Sequence, residues 1–420
     1  MPSPADGENP AAGGHGAPLP RRPWRDRRVL LGVTGGIAAY KIVSLARELT
    51  RRGAAVEVVL TRSAAEFVGA VTFEGVTGRP VHSGFAAGDA LGHIRLARWA
   101  DVVCVAPATA DFLARVAVGR ADDLLSTILL ATRAPVLLCP AMNDAMWIHP
   151  QTQRNAAHLR NEIGYTLVGP ATGALAFDEG SGPGRMEEPD VIAEHIGRAL
   201  VTDSPLAGRS VVVTAGPTRE PVDAVRVLTN RSSGRMGFAL AAAAWRRGAD
   251  VLLIHGPAGI GLPVGARSIP VETAEQMAAA VRDALGSADV LMMAAAVADF
   301  RPASPSSSKI KKAERPDAIL LEATPDILAA TRDARRNGLI AVGFALETDN
   351  ALANAHGKLQ SKGLDLVVLN RANEPGAGFE VDTNHVVLLG PRGEEDLPLM
   401  PKAEVAEHIL DRVSVMLGTQ

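Results

Sequence analysis

From Val29 onward, short apolar runs alternate with segments of helical periodicity. RVLLGV reads as a buried strand and TGG as the turn after it. IAAYKIVSLARELTRRG then sets Ile42, Leu45, Ala46 and Leu49 on one helical face before Gly53 stops it. AVEVVLT is a second strand, and DVVCVAPAT, APVLLCPA and YTLVGP continue the series, with helical stretches between the first pairs. Strands this uniformly apolar are covered on both faces, so the alternation predicts a parallel sheet between two helical layers.

The pattern restarts after VTDSPLAGRS, a polar stretch bearing Pro and Gly. SVVVTAG is a strand, a long polar loop follows, and RMGFALAAAAWRRGADVLLIHG is a helix running into a strand. DVLMMAAA, LIAVGFALE, LDLVVLN and HVVLLG are later strands, and a closing helix is expected from about Ala403. RRGAAVEVVL in the first half echoes RRGADVLLIH in the second, which we read as two independent Rossmann-like starts. The expected fold class is α/β, with two Rossmann-like three-layer domains at 28–200 and 210–420 joined by a linker at 201–209. Residues 1–27, rich in Pro, Gly and Ala, read as a disordered tail whose basic cluster ends in solvent.

Composition narrows the partners. The chain has 420 residues, 47% apolar and 21% charged, enough for two sizeable cores. A formal charge of −3 gives no electrostatic case for nucleic acid or an anionic membrane. No apolar run reaches the ~18 residues of a membrane span, and the N-terminus lacks the apolar stretch of a secretory signal. Cys104 and Cys139, the two cysteines, lie in apolar runs and fit buried thiols in a reducing cytoplasm.

Chemistry-bearing residues gather where strands end. Gly35 and Gly36 open the first helix and could cradle a phosphate, although G-x-G-x-x-G spacing is absent; a plain helix start is the alternative. The second strand ends in LTRS, without the acid an NAD ribose needs, and Thr61 and Ser63 suit a terminal phosphate better. APATADFLARVAVGRADDLLST and CPAMNDAMW each follow a buried strand, where open α/β sheets bind ligands. His93 in LGHIRLARWAD is a lone histidine. GALAFDEGSGPGRM (173–186) is too glycine-rich for a helix or strand and reads as a mobile cover.

Taken together, GGIAAYK, GHIRLARWAD, PATADF, PAMNDAMW and GPGRM resemble the flavin-dependent cysteine decarboxylase family. The resemblance implies an FMN that oxidises the thiol-bearing carbon of 4′-phosphopantothenoylcysteine, loss of CO₂, and return of the electrons to give 4′-phosphopantetheine. It implies that His93 and Asn143 are catalytic, and that Gly35, Gly36, Thr61, Thr109, Asp123 and Ser126 line FMN. Met142, Arg185 and Met186 would meet substrate under the flap. The family's flap carries a cysteine followed by glycine; here Phe177–Asp178 stands there, with an apparent one-residue insertion nearby. Asp178 or Glu179 could donate a proton in its place, and Cys139 is a second candidate substitute.

The second half offers Ser232, Ser233 and Gly234 at a helix start, where free N–H groups suit a triphosphate, with Ser capping as the alternative. Lys309, Lys311 and Lys312 tip a Pro/Ser-rich stretch, and Lys358 and Lys362 share a helical face. VRVLTNRSSGRMG, AAAVADF, KIKK, VGFALET and KGLDLVVLN resemble the phosphopantothenate–cysteine ligase family. That resemblance implies CTP and Mg²⁺ (or Mn²⁺), whose protein ligands it leaves unknown, and an acyl-cytidylate that cysteine resolves with release of CMP. It puts Arg226 and Asn230 on phosphopantothenate and the acyl intermediate, Ser232, Ser233 and Gly234 on the triphosphate, and Asp299 on the ribose. Lys309 would serve cysteine transfer, with Phe344, Lys358 and Lys362 completing the nucleotide site. Pro217 departs from the paired glycines common at that place.

The expectation is a cytoplasmic bifunctional enzyme acting on 4′-phosphopantothenate, cysteine and CTP. The resemblance further implies a homo-oligomer built from trimers, up to a dodecamer. The alternatives are a regulatory flavoprotein, a flavin prenyltransferase, or an oxidative decarboxylase that releases the ene-thiol.

Overall fold

The computed structural model describes residues 22–85, 90–174, 180–312, 318–347, 350–371, 374, 376–378 and 380–418. In the first half, β1 (Arg28–Val33), β2 (Ala55–Leu60), β3 (Val81–His82), β4 (Val102–Ala108), β5 (Val136–Pro140) and β6 (Thr166–Leu167) form one sheet. Its order is β3-β2-β1-β4-β5-β6, and every pairing is parallel. The order reverses between β1 and β4, which opens a crevice at their C-terminal ends. β4 is buried along its whole length. Helix Ala39–Arg51 buries the four residues its periodicity predicts, together with Ala39. Apolar side chains fill both faces of the sheet, Leu31, Ile42 and Leu137 on one and Leu30, Phe112 and Leu138 on the other.

The glycine-rich cover differs from its expected form. β7 (Ala171–Ala174) and β8 (Ser181–Arg185) pair antiparallel as a two-stranded ribbon, so part of the stretch is strand after all. Glycine is tolerated there because the ribbon lies backbone-first on another segment and needs no side chains to pack. The proposed proton donors Asp178 and Glu179, with Phe177, lie outside the described residues.

The second sheet holds β9 (Ser210–Ala215), β12 (Asp250–His255), β13 (Arg267–Pro270), β14 (Val290–Met293), β17 (Ile340–Glu347), β18 (Leu366–Arg371), β19 (Thr383–Gly390) and β20 (Gly393–Pro401). Its order is β13-β12-β9-β14-β17-β18-β19-β20, parallel as far as β18 and antiparallel beyond. Two ribbons interrupt stretches that read as loops: β10 (Arg219–Pro221) with β11 (Val227–Thr229), and β15 (Phe300–Pro302) with β16 (Leu321–Ala323). Three-residue strands are too short to display a period. The closing helix spans Lys402–Gly418.

In the basic cluster leading into β1, Arg25, Arg27 and Arg28 are exposed as expected, but the tryptophan among them turns inward. Trp24 is fully buried, and its indole N–H donates to the Ala193 carbonyl at 3.0 Å. The Arg52 guanidinium sits 3.9 Å from the ring centroid and that of Arg246 5.2 Å away. Arg246, itself 2% exposed, joins the domains by pairing with Glu194 at 2.6 Å and Glu407 at 2.8 Å. Buried charges persist where each has a partner, and this junction supplies one to each.

Candidate active sites

The first crevice is stitched from three strand ends. The Thr34 hydroxyl, just after β1, donates to the Pro107 carbonyl at 2.7 Å and accepts from the Thr109 N–H at 3.2 Å. Gly35 lies against the end of β2, where an added Cβ would come within 2.3 Å of the Ser63 Cβ. Only glycine permits that approach. The helix that follows has no side-chain hydrogen bond at its N-cap Ala38. In its first turn the Ala39 N–H donates to the Gly36 carbonyl at 2.9 Å and the Lys41 N–H to the Ala38 carbonyl at 3.1 Å, and the positive end of the helix still faces the crevice. A phosphate-bearing flavin fits such a cradle.

Other expected flavin residues also carry local structure. Asp123 and Ser126 form a reciprocal capping box, and Asp123 also pairs with Arg115 at 2.9 Å. The Thr61 hydroxyl accepts from the Ala64 N–H, and that of Thr109 caps helix Ala110–Ala117. These residues shape the crevice through the backbone they hold.

The ribbon closes onto PAMNDAMW. The Met142 N–H donates to the Gly184 carbonyl at 3.0 Å. A Cβ on Gly184, whose φ is +134°, would stand 2.3 Å from the Met142 oxygen, and one on Gly182 would stand 2.9 Å from the Asp144 Cβ. Asn143 Oδ1 accepts from the Ala145 N–H at 2.9 Å, which turns the amide nitrogen away from the helix it caps. His93, on helix Gly92–Trp99, meets the Phe85 ring edge-on at 6.0 Å, and its Nδ1 is buried with no partner among the described residues. Arg185 pairs with Glu188, which also accepts from Lys41 at 2.9 Å, and Met186 is a core residue.

Cys139 does not face this crevice. Its sulfur lies 3.8 Å from that of Cys104, both residues are fully buried, and contact with Cys104 and burial push its thiol well above the ordinary range. It cannot stand in for the flap cysteine, because a side chain on the core face of β5 has no path to a ligand.

In the second domain, Ser232, Ser233, Gly234 and Phe344 line one cleft of about 120 Å³ with Arg235, Asn370, Asn384 and Lys402. Gly234 has φ +78° and leaves helix Arg235–Arg246 without a side-chain cap, and the Ser233 hydroxyl is buried with no partner among the described residues. The Lys358 ammonium donates to the Phe344 carbonyl at 2.6 Å, while Lys362 pairs with Asp326. Asp299 is exposed, and its carbonyl accepts from the Thr324 N–H. Pro217 keeps the loop close: a Cβ on Gly256 would lie 1.7 Å from its carbonyl oxygen.

Arg226 and Asn230 are braces here. The Asn230 amide donates to the carbonyls of Ala296 and Val297 at 3.1 and 3.2 Å. Arg226 holds the buried Asp223 carboxylate and donates to the Ile310 carbonyl at 2.9 Å, while the Ile310 N–H donates to Asp223. The guanidinium keeps the Asp223 carboxyl well below the usual carboxylate range. Lys309, the neighbour of Ile310, is thereby tethered near the β10–β11 ribbon.

Asp223, Asp326, Asn370, Asn384 and Lys402 were not singled out in the sequence. Asp326 carried a weak local signal, since Asp before an apolar turn suggests an N-cap; Lys402 in LMPKAEVA carried none.

Comparison with known proteins decides the family. The family described as "Flavoprotein" matches residues 20–200, and the "DNA/pantothenate metabolism flavoprotein C-terminal domain" matches 206–416. Coenzyme A biosynthesis bifunctional protein CoaBC of Vibrio vulnificus is 43% identical over 397 residues, covering 93% of this chain and 98% of the relative. The chain belongs to the bifunctional coenzyme A biosynthesis protein family. A second member, from Mycobacterium bovis, is 47% identical over 409 residues, 93% of this chain and 97% of the relative. A solved C-terminal domain of a bifunctional protein of this family is 35% identical, covering 52% of this chain and 100% of that one, with a TM-score of 0.45. Membership through both domains sets aside the regulatory-flavoprotein and prenyltransferase readings, which lack a ligase half. Among the described residues no helix is long and apolar enough to cross a membrane.

Proposed function

We propose that this bifunctional enzyme of coenzyme A biosynthesis divides its two activities between the two crevices. The second domain, at 210–420, joins cysteine to 4′-phosphopantothenate at the cost of CTP. The first, at 28–200, decarboxylates 4′-phosphopantothenoylcysteine to 4′-phosphopantetheine. The observation that carries this reading is that each sheet ends in a crevice beside an uncapped helix N-terminus, one suited to a flavin phosphate and one to a triphosphate.

In the first domain, Gly35, Gly36 and Thr109 hold FMN, which supplies the reversible two-electron oxidation when bound. Asn143, its oxygen committed to Ala145, presents its amide N–H donors to the substrate carboxylate. His93 brings a ring nitrogen that has no partner among the described residues and moves a proton at the substrate. The ribbon β7–β8 closes the site against water, and Asp178 from the segment between its strands returns a proton.

In the second domain, Ser232, Ser233 and the helix N-terminus receive the polyphosphate. Lys309, tethered through Asp223 and Arg226, steadies the charge that develops on transfer. We place Mg²⁺ on the nucleotide phosphates, where that ion binds with few protein ligands.

The test is mass spectrometry after the yellow protein is incubated with 4′-phosphopantothenate, cysteine, CTP and Mg²⁺. CMP, a cysteine adduct and then its decarboxylated product are expected, with ATP as the parallel nucleotide. Absence of CMP and adduct refutes the ligase assignment; adduct without CO₂ loss refutes the decarboxylase one.

A further inference from the structure

Lys402 stands in an unfavourable place by three separate measures. It is only 6% exposed, so its ammonium has lost most of its water. It is the first residue of helix Lys402–Gly418, where the macrodipole is positive and repels a cation. Among the described residues no carboxylate pairs with it; the nearby Asp382 is paired with Arg235 at 3.2 Å. Burial and Arg235 accordingly push its pKa down to about 8.

The ammonium nevertheless has a fixed position. It donates to the Gly378 carbonyl at 2.9 Å and to the Val381 carbonyl at 2.6 Å, which leaves one of its three N–H donors. The Gly378 N–H is itself held by Asn384 Oδ1 at 3.3 Å, and the Asn384 amide donates to Asn370 Oδ1 at 2.9 Å. Lys402, Asn370 and Asn384 all line the cleft in which the Ser233 hydroxyl lies buried, with no partner among the described residues. A preformed, incompletely satisfied cation and an unpartnered hydroxyl in one cleft lack the same thing, an anionic acceptor.

We infer that Lys402 is a polyphosphate-binding residue of the ligase cleft, an immobile cation that meets the nucleotide's phosphates together with Ser233 and the N-terminus of helix Arg235–Arg246. This rests on the nucleotide reading of that cleft. The two carbonyls already hold the side chain, so binding an anion through it costs little further side-chain entropy.

The experiment uses the full chain, with CTP and inorganic tripolyphosphate as probes and calorimetry and ligase kinetics as readouts. Lys402→Met is expected to weaken binding of both probes roughly 10-fold or more, as for a lost charge-assisted hydrogen bond. KM for CTP should rise while KM for phosphopantothenate stays within about twofold, and Lys402→Arg should recover part of the loss. Wild-type protein should take up protons on binding CTP near pH 8, where the nucleotide's phosphates are already ionised, read from buffers of different ionisation enthalpy; the charged groups facing Lys402 are Arg235 and Asp382. This second readout holds even if the Met variant fails to fold. Unchanged CTP affinity in a folded Met variant, or no proton uptake by the wild type, overturns the inference. If wild-type protein binds neither probe, the nucleotide reading of the cleft fails instead.

Discussion

Replacing Trp24 by Ala tests whether the segment before β1 is a structural member of both domains. The indole is fully buried, donates to Ala193, and is flanked by Arg52 and Arg246. Its fit is tight: a Cβ on Gly197 would lie 2.6 Å from the ring. Deleting a buried Trp costs about 3–5 kcal/mol through lost transfer energy and the cavity left behind. The two guanidiniums add about 0.5–2 kcal/mol each through the ring face, which they recover by moving into the space. A net loss of about 3–5 kcal/mol is therefore expected, a large share of the ~5–15 kcal/mol that holds a domain folded. Two domains need not unfold together, so amide hydrogen exchange is the appropriate assay. Protection should fall in helices Ala39–Arg51, Pro189–Leu200 and Arg235–Arg246 and persist in β4 and β14, while ligase kcat stays near wild type. Trp24→Phe, which keeps a ring but not the N–H, should lose about 1 kcal/mol. A loss below about 1 kcal/mol for the Ala variant, with protection unchanged in those helices, would refute the reasoning.

Gly184→Ala places a methyl group 2.3 Å from the Met142 oxygen at a φ of +134°, so decarboxylase activity should fall more than about 10-fold, with ligase activity as the intact control. Asp223→Ala frees Arg226 and the Ile310 N–H together; rapid-quench assays should show the step that depends on Lys309 slowed about 10-fold or more, with CTP affinity little changed. His385 is bonded by Glu374 and Asp396, and both raise its pKa above 6.5. Its stabilisation is complete below about pH 6.5 and is lost as pH rises through the elevated value, because the folded state holds the proton longer. Urea midpoints of wild type and His385→Gln should thus differ more at pH 6 than at pH 9; equal differences would remove this group from the pH response.

The sequence by itself determined what is local or periodic. Buried strands such as β4 and helices such as Ala39–Arg51 follow from residues that touch their own neighbours, and the glycine turns after β1 and before helix Arg235–Arg246 announce backbone positions no other residue tolerates. Both crevices were legible for that reason, since parallel strands deliver their loops to one edge. Tertiary structure decided everything that depends on a partner distant in sequence. Trp24 looks like part of a basic tail until Ala193, Arg52 and Arg246 surround it. The ribbon β7–β8 becomes strand because PAMNDAMW lies beneath it, and Arg226 becomes a brace because Asp223 and Ile310 reach it. Lys402 reads as an ordinary helix-start lysine until burial removes its water and leaves it facing a cleft. Solvation and long-range pairing set the energy of a charge, and a linear pattern of residue types records neither.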